Sequence, residues 1–251
     1  MKTTLLIAVI LILIVVAVAV TYLAVSINES PESALLNAKK LLSRNVTLTY
    51  NFMASSMFII NNNVFPGISG IPFQTGPLTG TITISRTPMS DATVINGTLT
   101  FRHFIGGINF NLVLWKYDNE LCYATEFNFM GHQTATHCAP YVNLTKYIML
   151  TLNESKYVGK GAWHGKTTYC FTALITLTST QGELQGIPIA MNVTKLCVLS
   201  NGVPTNITIY LYPMYQGRLS NMVMNINMTL LSYSFTFNQY RFSQITKGLI
   251  P

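Results

Sequence analysis

From Val46 almost to its end the chain keeps returning to a period of two. Val46, Leu48, Tyr50 and Phe52 alternate with Thr47, Thr49 and Asn51. Successive side chains of a strand point to opposite faces, so this spacing predicts one apolar face and one polar face. Ile82 and Ile84, residues 94–101, and Ile108, Phe110, Leu112 and Leu114 repeat the pattern, mostly with Thr, Ser or Asn between them. Residues 169–177, 189–199, 207–211, 222–230 and 233–237 do the same. So many half-buried segments with short polar connections predict sequential antiparallel pairing. The expected fold is mainly β (α+β), a curved antiparallel sheet or half-barrel with one or two packing helices.

Ahead of the first strand, Ser30-Pro31-Glu32 has the chemistry of a helix start: a capping hydroxyl, a proline at the first position and an acid facing the helix dipole. Ala34, Leu35, Ala38, Leu41 and Leu42 then recur at helical spacing. Residues 65–80, rich in Gly and Pro, read as a long loop or lid. Residues 141–153 are ambiguous, with Val142, Tyr147, Ile148 and Leu150 placed so that they could form a second helix.

The start of the chain indicates the compartment. Lys2 precedes an apolar run over residues 5–25, interrupted only by Thr21 and Tyr22 and close to one membrane span in length. With Glu29 and Glu32 after the run, the positive-inside rule places the remainder of the chain outside the cell. Ala24-Val25-Ser26 also fits a cleavage site, so residues 1–26 read either as a signal anchor or as a signal peptide. Both readings export residues 27–251 as one β-rich domain. Retention as a single-pass anchor is expected, because the run exceeds the usual signal-peptide core.

Export predicts disulfides and glycans. The four cysteines allow three pairings, of which Cys122 with Cys138 and Cys170 with Cys197 is the simplest, each closing neighbouring predicted strands. Asn28, Asn45, Asn96, Asn143, Asn153, Asn192, Asn206 and Asn227 head Asn-x-Ser/Thr sequons. Only 9% of residues are charged, so solubility rests on Asn, Thr and Ser. Such a surface suits an acidic exterior, where carboxylates would lose their charge.

No catalytic or cofactor constellation stands out. The net charge of +7 is spread over scattered cations; Lys39, Lys40 and Arg44, or Lys156, Lys160 and Lys166, do not form a dense basic run with interleaved aromatics, which argues against nucleic acid. Met130, His132, His137 and Cys138 offer copper-type ligands, but a disulfide at Cys138 removes the thiolate, leaving a solvated hairpin loop as the reading. His103 and His164 stand alone. Asp91, Asp118, Glu120, Glu126, Glu154 and Glu183 show no paired motif. Nucleophile elbows, phosphate loops and zinc-protease helices are absent from the sequence. Met222, Met224 and Met228, with Phe235 and Phe237, are the candidate lining of an adaptable apolar cavity, although core packing gives the same alternation.

The order of these features resembles the LolA, LppX and LprG-type periplasmic lipoprotein carriers. The resemblance rests on Tyr157-Val158-Gly159-Lys160-Gly161, Gly165-Lys166-Thr167-Thr168-Tyr169 and Asn201-Gly202-Val203-Pro204, and spans most of residues 30–242. It implies a half-barrel holding an acyl chain against helices. The chain departs from those carriers in lacking a lipobox cysteine, and its sequons and paired cysteines look more like exported proteins of thermoacidophilic archaea. Two functions are therefore expected: a non-enzymatic, membrane-anchored binder of a lipid or other apolar ligand, or a structural surface, filament or membrane-complex subunit pairing through sheet edges. A large closed cavity favours the first, and a filled core with an open groove favours the second.

Overall fold

The computed structural model describes residues 30–58, 73–88, 92–101, 107–118, 120–128, 132–140, 144–177, 189–215, 218–219 and 222–247. Helix α1 (Pro31–Lys40) begins as its sequence predicts, with a reciprocal cap in which Ser33 N donates to Ser30 Oγ at 3.1 Å and Ser30 N donates to Ser33 Oγ at 3.2 Å. A single 3-10 turn (Leu41–Ser43) leads from it into the sheet. Two further helices come later in the chain, α2 (Leu144–Asn153) and α3 (Gln239–Thr246).

Six strands form the first half of the sheet: β1 (Val46–Phe58), β2 (Phe73–Thr87), β3 (Ala92–Phe101), β4 (Gly107–Tyr117), β5 (Glu120–Asn128) and β6 (His132–Pro140). The second half comprises β7 (Lys156–Trp163), β8 (Lys166–Leu177), β9 (Ile189–Leu199), β10 (Pro204–Tyr215) and β12 (Met222–Ser234), with β11 (Arg218–Leu219) pairing only β10. The spatial order is β6-β5-β4-β3-β2-β1-β12-β10-β9-β8-β7, every pair antiparallel. Neighbours in sequence pair within each half, as expected. The exception is the joint between halves, where β1 meets β12 over Thr47↔Ser234 to Phe58↔Met222.

The inward faces of both halves enclose one core, so the sheet is curved, and among the described residues β6 and β7 do not pair to close it. One rung runs Phe171, Leu196, Ile207, Met228, Phe52 across five strands, all buried. It continues through Gly80 to Leu99, while the next rung sets Gly97 between Ile82 and Phe110. Small residues thus alternate with large ones where the inner face is most crowded. Ala34, Ala38 and Leu41 of the first helical segment, with Ile148 and Leu152 of α2, complete this core. Each large apolar side chain among them contributes about 1.5–3 kcal/mol on burial.

The outer face has two characters. Over β3, β4 and β5, Phe242 and Ile245 of α3 cover Val94, Val113, Trp115 and Ala124. Elsewhere Thr and Asn satisfy one another across strands, as in Thr49 with Thr83 (3.1 Å), Thr98 to Asn109 (2.6 Å) and Thr208 to Asn227 (2.9 Å). Neutral cross-strand pairs on this face account structurally for the low charge of the chain.

Two sequence expectations are corrected and an ambiguous one is resolved. Residues 73–80 are strand, not loop, because they pair with β1 from Phe58↔Phe73 onward; residues 59–72 lie outside the described residues. Residues 132–138 are strand, not a hairpin loop, in unbroken register with β5. The ambiguous stretch is helical from Leu144. The apolar run of residues 5–25 lies outside the described residues, among which no helix is long and apolar enough to cross a membrane.

Two contacts fix the helical end. Gly202, at φ +88°, sits against α1 so closely that an added Cβ would lie 2.7 Å from the backbone at Ala38 and Asn37, and Asn37 Nδ2 donates to Ser200 O at 2.8 Å. Gly202→Ala is therefore expected to cost about 2–4 kcal/mol and lower Tm by roughly 5–15 °C. Gly165→Ala, also at positive φ but with no atom within 4 Å, should cost about 1 kcal/mol; equal losses would refute the packing argument.

The buried Tyr50 hydroxyl donates to Pro204 O at 3.0 Å, tying β1 to the start of β10. Burial pushes its pKa well above the usual tyrosine value. The folded chain then holds this proton more tightly than the unfolded chain, so its contribution is complete below about pH 10 and is lost as pH rises further. Tyr50→Phe should remove about 1.4 kcal/mol per pH unit of the alkaline fall in unfolding free energy, measured in denaturant titrations.

Candidate functional site

Met224 and Met228 point inward from β12 and are buried, in register with Leu211 and Ile207 of β10. Leu211 in turn faces Met191, and Met191 faces Ile175. This rung belongs to the end of the half-barrel where β8 gives way to β9 and β10 to β12, opposite the helices. Met222 starts β12 beside Phe58. The two aromatic candidates lie elsewhere. Phe235 is 44% exposed, past the end of β12, and packs edge-on against Tyr233 at 5.6 Å. Phe237 packs on Phe242 of α3 at 5.8 Å, on the outer-face cluster. A register shift at Leu231 brings Tyr233 onto the methionine face, but β12 ends at Ser234, before Phe235 and Phe237.

A cleft of about 370 Å³ lies at the helical end, lined by Gly165, Lys166, Thr167, Tyr169, Asn201 and Tyr233 among others. The segments that carry the carrier resemblance supply most of this lining. Asn201 Nδ2 donates to the Tyr233 hydroxyl at 3.2 Å, so the phenol proton can donate outward. Beside it Trp163 Nε1 donates to Leu230 O at 2.8 Å and its ring meets those of His164 (4.5 Å) and Tyr233 (6.0 Å). The cleft is polar and open, unlike the apolar rung. Sequence reasoning missed it because its walls come from the β7–β8 turn, the β9–β10 turn and the end of β12, all distant in sequence.

No catalytic pair assembles among the described residues. Asp118 occupies a turn at φ 49°, and Glu120 and Glu154 are exposed. Glu126 accepts from Asn111 Nδ2 at 3.0 Å and lies 3.9 Å from Arg241 Nη2, which also docks α3 through Arg241 Nε to Asn111 Oδ1 at 3.2 Å. Asp91, Glu183, His103 and Met130 are outside the described residues. Glu120, Cys122 and Cys138 lie within ligand distance of one another, but both sulfurs are tied up in a disulfide and leave no thiolate for a metal.

The two bridges are Cys122–Cys138 and Cys170–Cys197, each between directly facing residues of adjacent strands, and no cysteine is free. They fit an oxidising, extracytoplasmic environment. Among the sequons, Asn45 and Asn153 are exposed outside the strands. Asn96, Asn192, Asn206 and Asn227 are half-buried within strands, with Asn206 and Asn227 engaged by Thr229 and Thr208. Asn28 and Asn143 lie outside the described residues.

No known protein family matches the sequence, and no curated protein does. Among solved structures the chain is similar to a β-barrel-like protein of domain of unknown function DUF1849 from Brucella abortus. That likeness has 7% identity, covers 76% of this chain and 98% of the other, and has a TM-score of 0.29.

Reduction should destabilise the fold, since each bridge restrains a loop with a separation of 16 or 27 residues. Replacing either pair with alanines is expected to cost about 2–5 kcal/mol, read as a lower denaturant midpoint. An unaltered midpoint would show that the bridges restrain nothing in the unfolded chain.

Proposed function

We propose that this chain is a non-enzymatic extracytoplasmic protein that binds a lipid acyl chain or another apolar ligand at the methionine end of its half-barrel, with the apolar run of residues 5–25 tethering it to the membrane. The observation carrying this reading is the continuous inward rung of Met224, Leu211, Met191 and Ile175 at the end away from the helices. Methionine side chains adapt to irregular apolar shapes at little cost, which suits a ligand of variable length. Helix α1 and helix α2 pack into the core toward the opposite end, so a chain would enter from the methionine side. The order of elements shared with lipoprotein carriers of the LolA type supports the same reading. Phe235 and Phe237 take no part in it.

A second reading, that of a surface or complex subunit acting through strand addition, is favoured by a specific observation. The sheet stays open, and among the described residues β6 and β7 each pair on one side only.

Native mass spectrometry of the full chain purified from its own host, before and after organic extraction, tests the first reading. A stoichiometric extractable mass is expected, and Met224→Asp should abolish it in protein that still carries both disulfides. A ligand-free chain would sink the carrier reading.

A further inference from the structure

Among the described residues the sheet has two edges that pair on one side only, and they are not alike. Edge β7 carries the usual protections against unwanted pairing. Lys156 and Lys160 lie on it with Lys166 on its hairpin partner, and a register shift between Tyr157 and Gly159 kinks its ladder with β8. A copy of β7 laid antiparallel against it would bring lysines toward lysines. Edge β6 has no lysine and no register shift, and its one proline, Pro140, is its last residue. Over His132 to Pro140 it has no Lys, Arg, Asp or Glu, and its nine residues keep unbroken register with β5. Thr134, Ala135, Thr136 and His137 are exposed.

The backbone of β6 is also aimed outward in a defined way. Cys122 and Cys138 face each other with Cα atoms 4.0 Å apart, the close spacing of a non-hydrogen-bonded antiparallel pair. The N–H and C=O of Cys138 therefore point away from β5, and by alternation so do those of Thr136 and Thr134. Ala135 and His137 turn theirs inward, consistent with Ala135 O accepting from Thr125 Oγ1 at 3.4 Å. The disulfide holds this edge against its neighbour.

We propose that β6 is the docking edge of the molecule and that its occupant is β6 of a second copy, paired antiparallel about a two-fold axis. This inference rests on the strand-addition reading above. A two-fold contact must be self-complementary, and β6 meets that requirement: it opposes no like charges at neutral pH, and its threonines form favourable cross-strand pairs with one another. The product is one sheet continuous through two copies, with the β7 edges left outward and guarded.

The test is the mass of the full chain in detergent micelles over a wide range of concentration, by native mass spectrometry. Wild type is expected to show a doubled mass. Thr136→Pro deletes an outward N–H without touching the β5 ladder, and Thr136→Lys places like charges in the joint. Each should weaken the dimer by about tenfold to hundredfold while leaving both disulfides and the thermal transition of the single chain intact. Val158→Lys, at the bulge of β7, should leave the dimer unchanged. A dimer insensitive to both Thr136 variants overturns the proposal. A dimer broken by Val158→Lys also overturns it, but leaves strand addition standing with the wrong edge assigned. Single chains at every concentration, together with no cross-linked species in the intact host envelope, would remove both the proposal and the reading beneath it.

Discussion

The pairing of β1 with β12 is the contact on which the rest of the molecule depends. Each half of the sheet is a meander that forms from neighbouring segments, but a meander alone has one apolar face and nothing to cover it. Only when β12 docks along β1 do Phe52, Met228, Ile207 and Phe171 become one rung and the two inward faces close on a shared core. Tyr50 adds a second tie by reaching Pro204, and Trp163 a third by reaching Leu230. These are all contacts between residues far apart in sequence. Their loop-closure entropy is lost before their burial is gained, so the fold is expected to assemble slowly and its stability to be cooperative across both halves.

That joint is also what the sequence conceals. Alternation is local, so the faces of β1, β4 and β12 were legible from their own residues, and the simple pairing of cysteines followed from adjacent strands. Nothing in Val46–Phe58 names Met222–Ser234 as its second partner. Gly76, Pro77 and Gly80 made residues 65–80 look like a loop, yet Gly80 sits in a strand where an added Cβ would run into the backbone of Thr98 and Leu99 on β3. Helix α3 is silent in the sequence because only Phe242 and Ile245 among its eight residues are both buried and apolar, too few for a periodic signal. Of the candidate site, Met224 and Met228 were readable as inward positions. The separation of Phe235 and Phe237 from them was not, because it depends on where β12 ends.

Among the described residues, the eleven strands of the main path, in strict antiparallel alternation, leave β6 and β7 running the same way. Closing them against each other would require a parallel ladder, with slanted hydrogen bonds that do not continue the antiparallel geometry on either side. An even number would have allowed closure in the same antiparallel geometry and so removed the edges altogether, as closed barrels do.

Openness in turn gives the disulfides their placement. A strand at an edge is held by one ladder instead of two, and it is where an open sheet frays first. One bridge joins β6 to β5, and the other joins β8 to β9 one strand in from β7. Covalent restraint therefore sits near the two ends of the sheet and not at the β1–β12 joint, where ladders on both sides and a buried core already hold the strands. A chain that used charge to solubilise its surface could have guarded both edges with lysines. This one relies on Thr and Asn pairs over its outer face and concentrates lysines at β7. The physical asymmetry between a guarded edge and a stapled, neutral one is a consequence of that scarcity of charge.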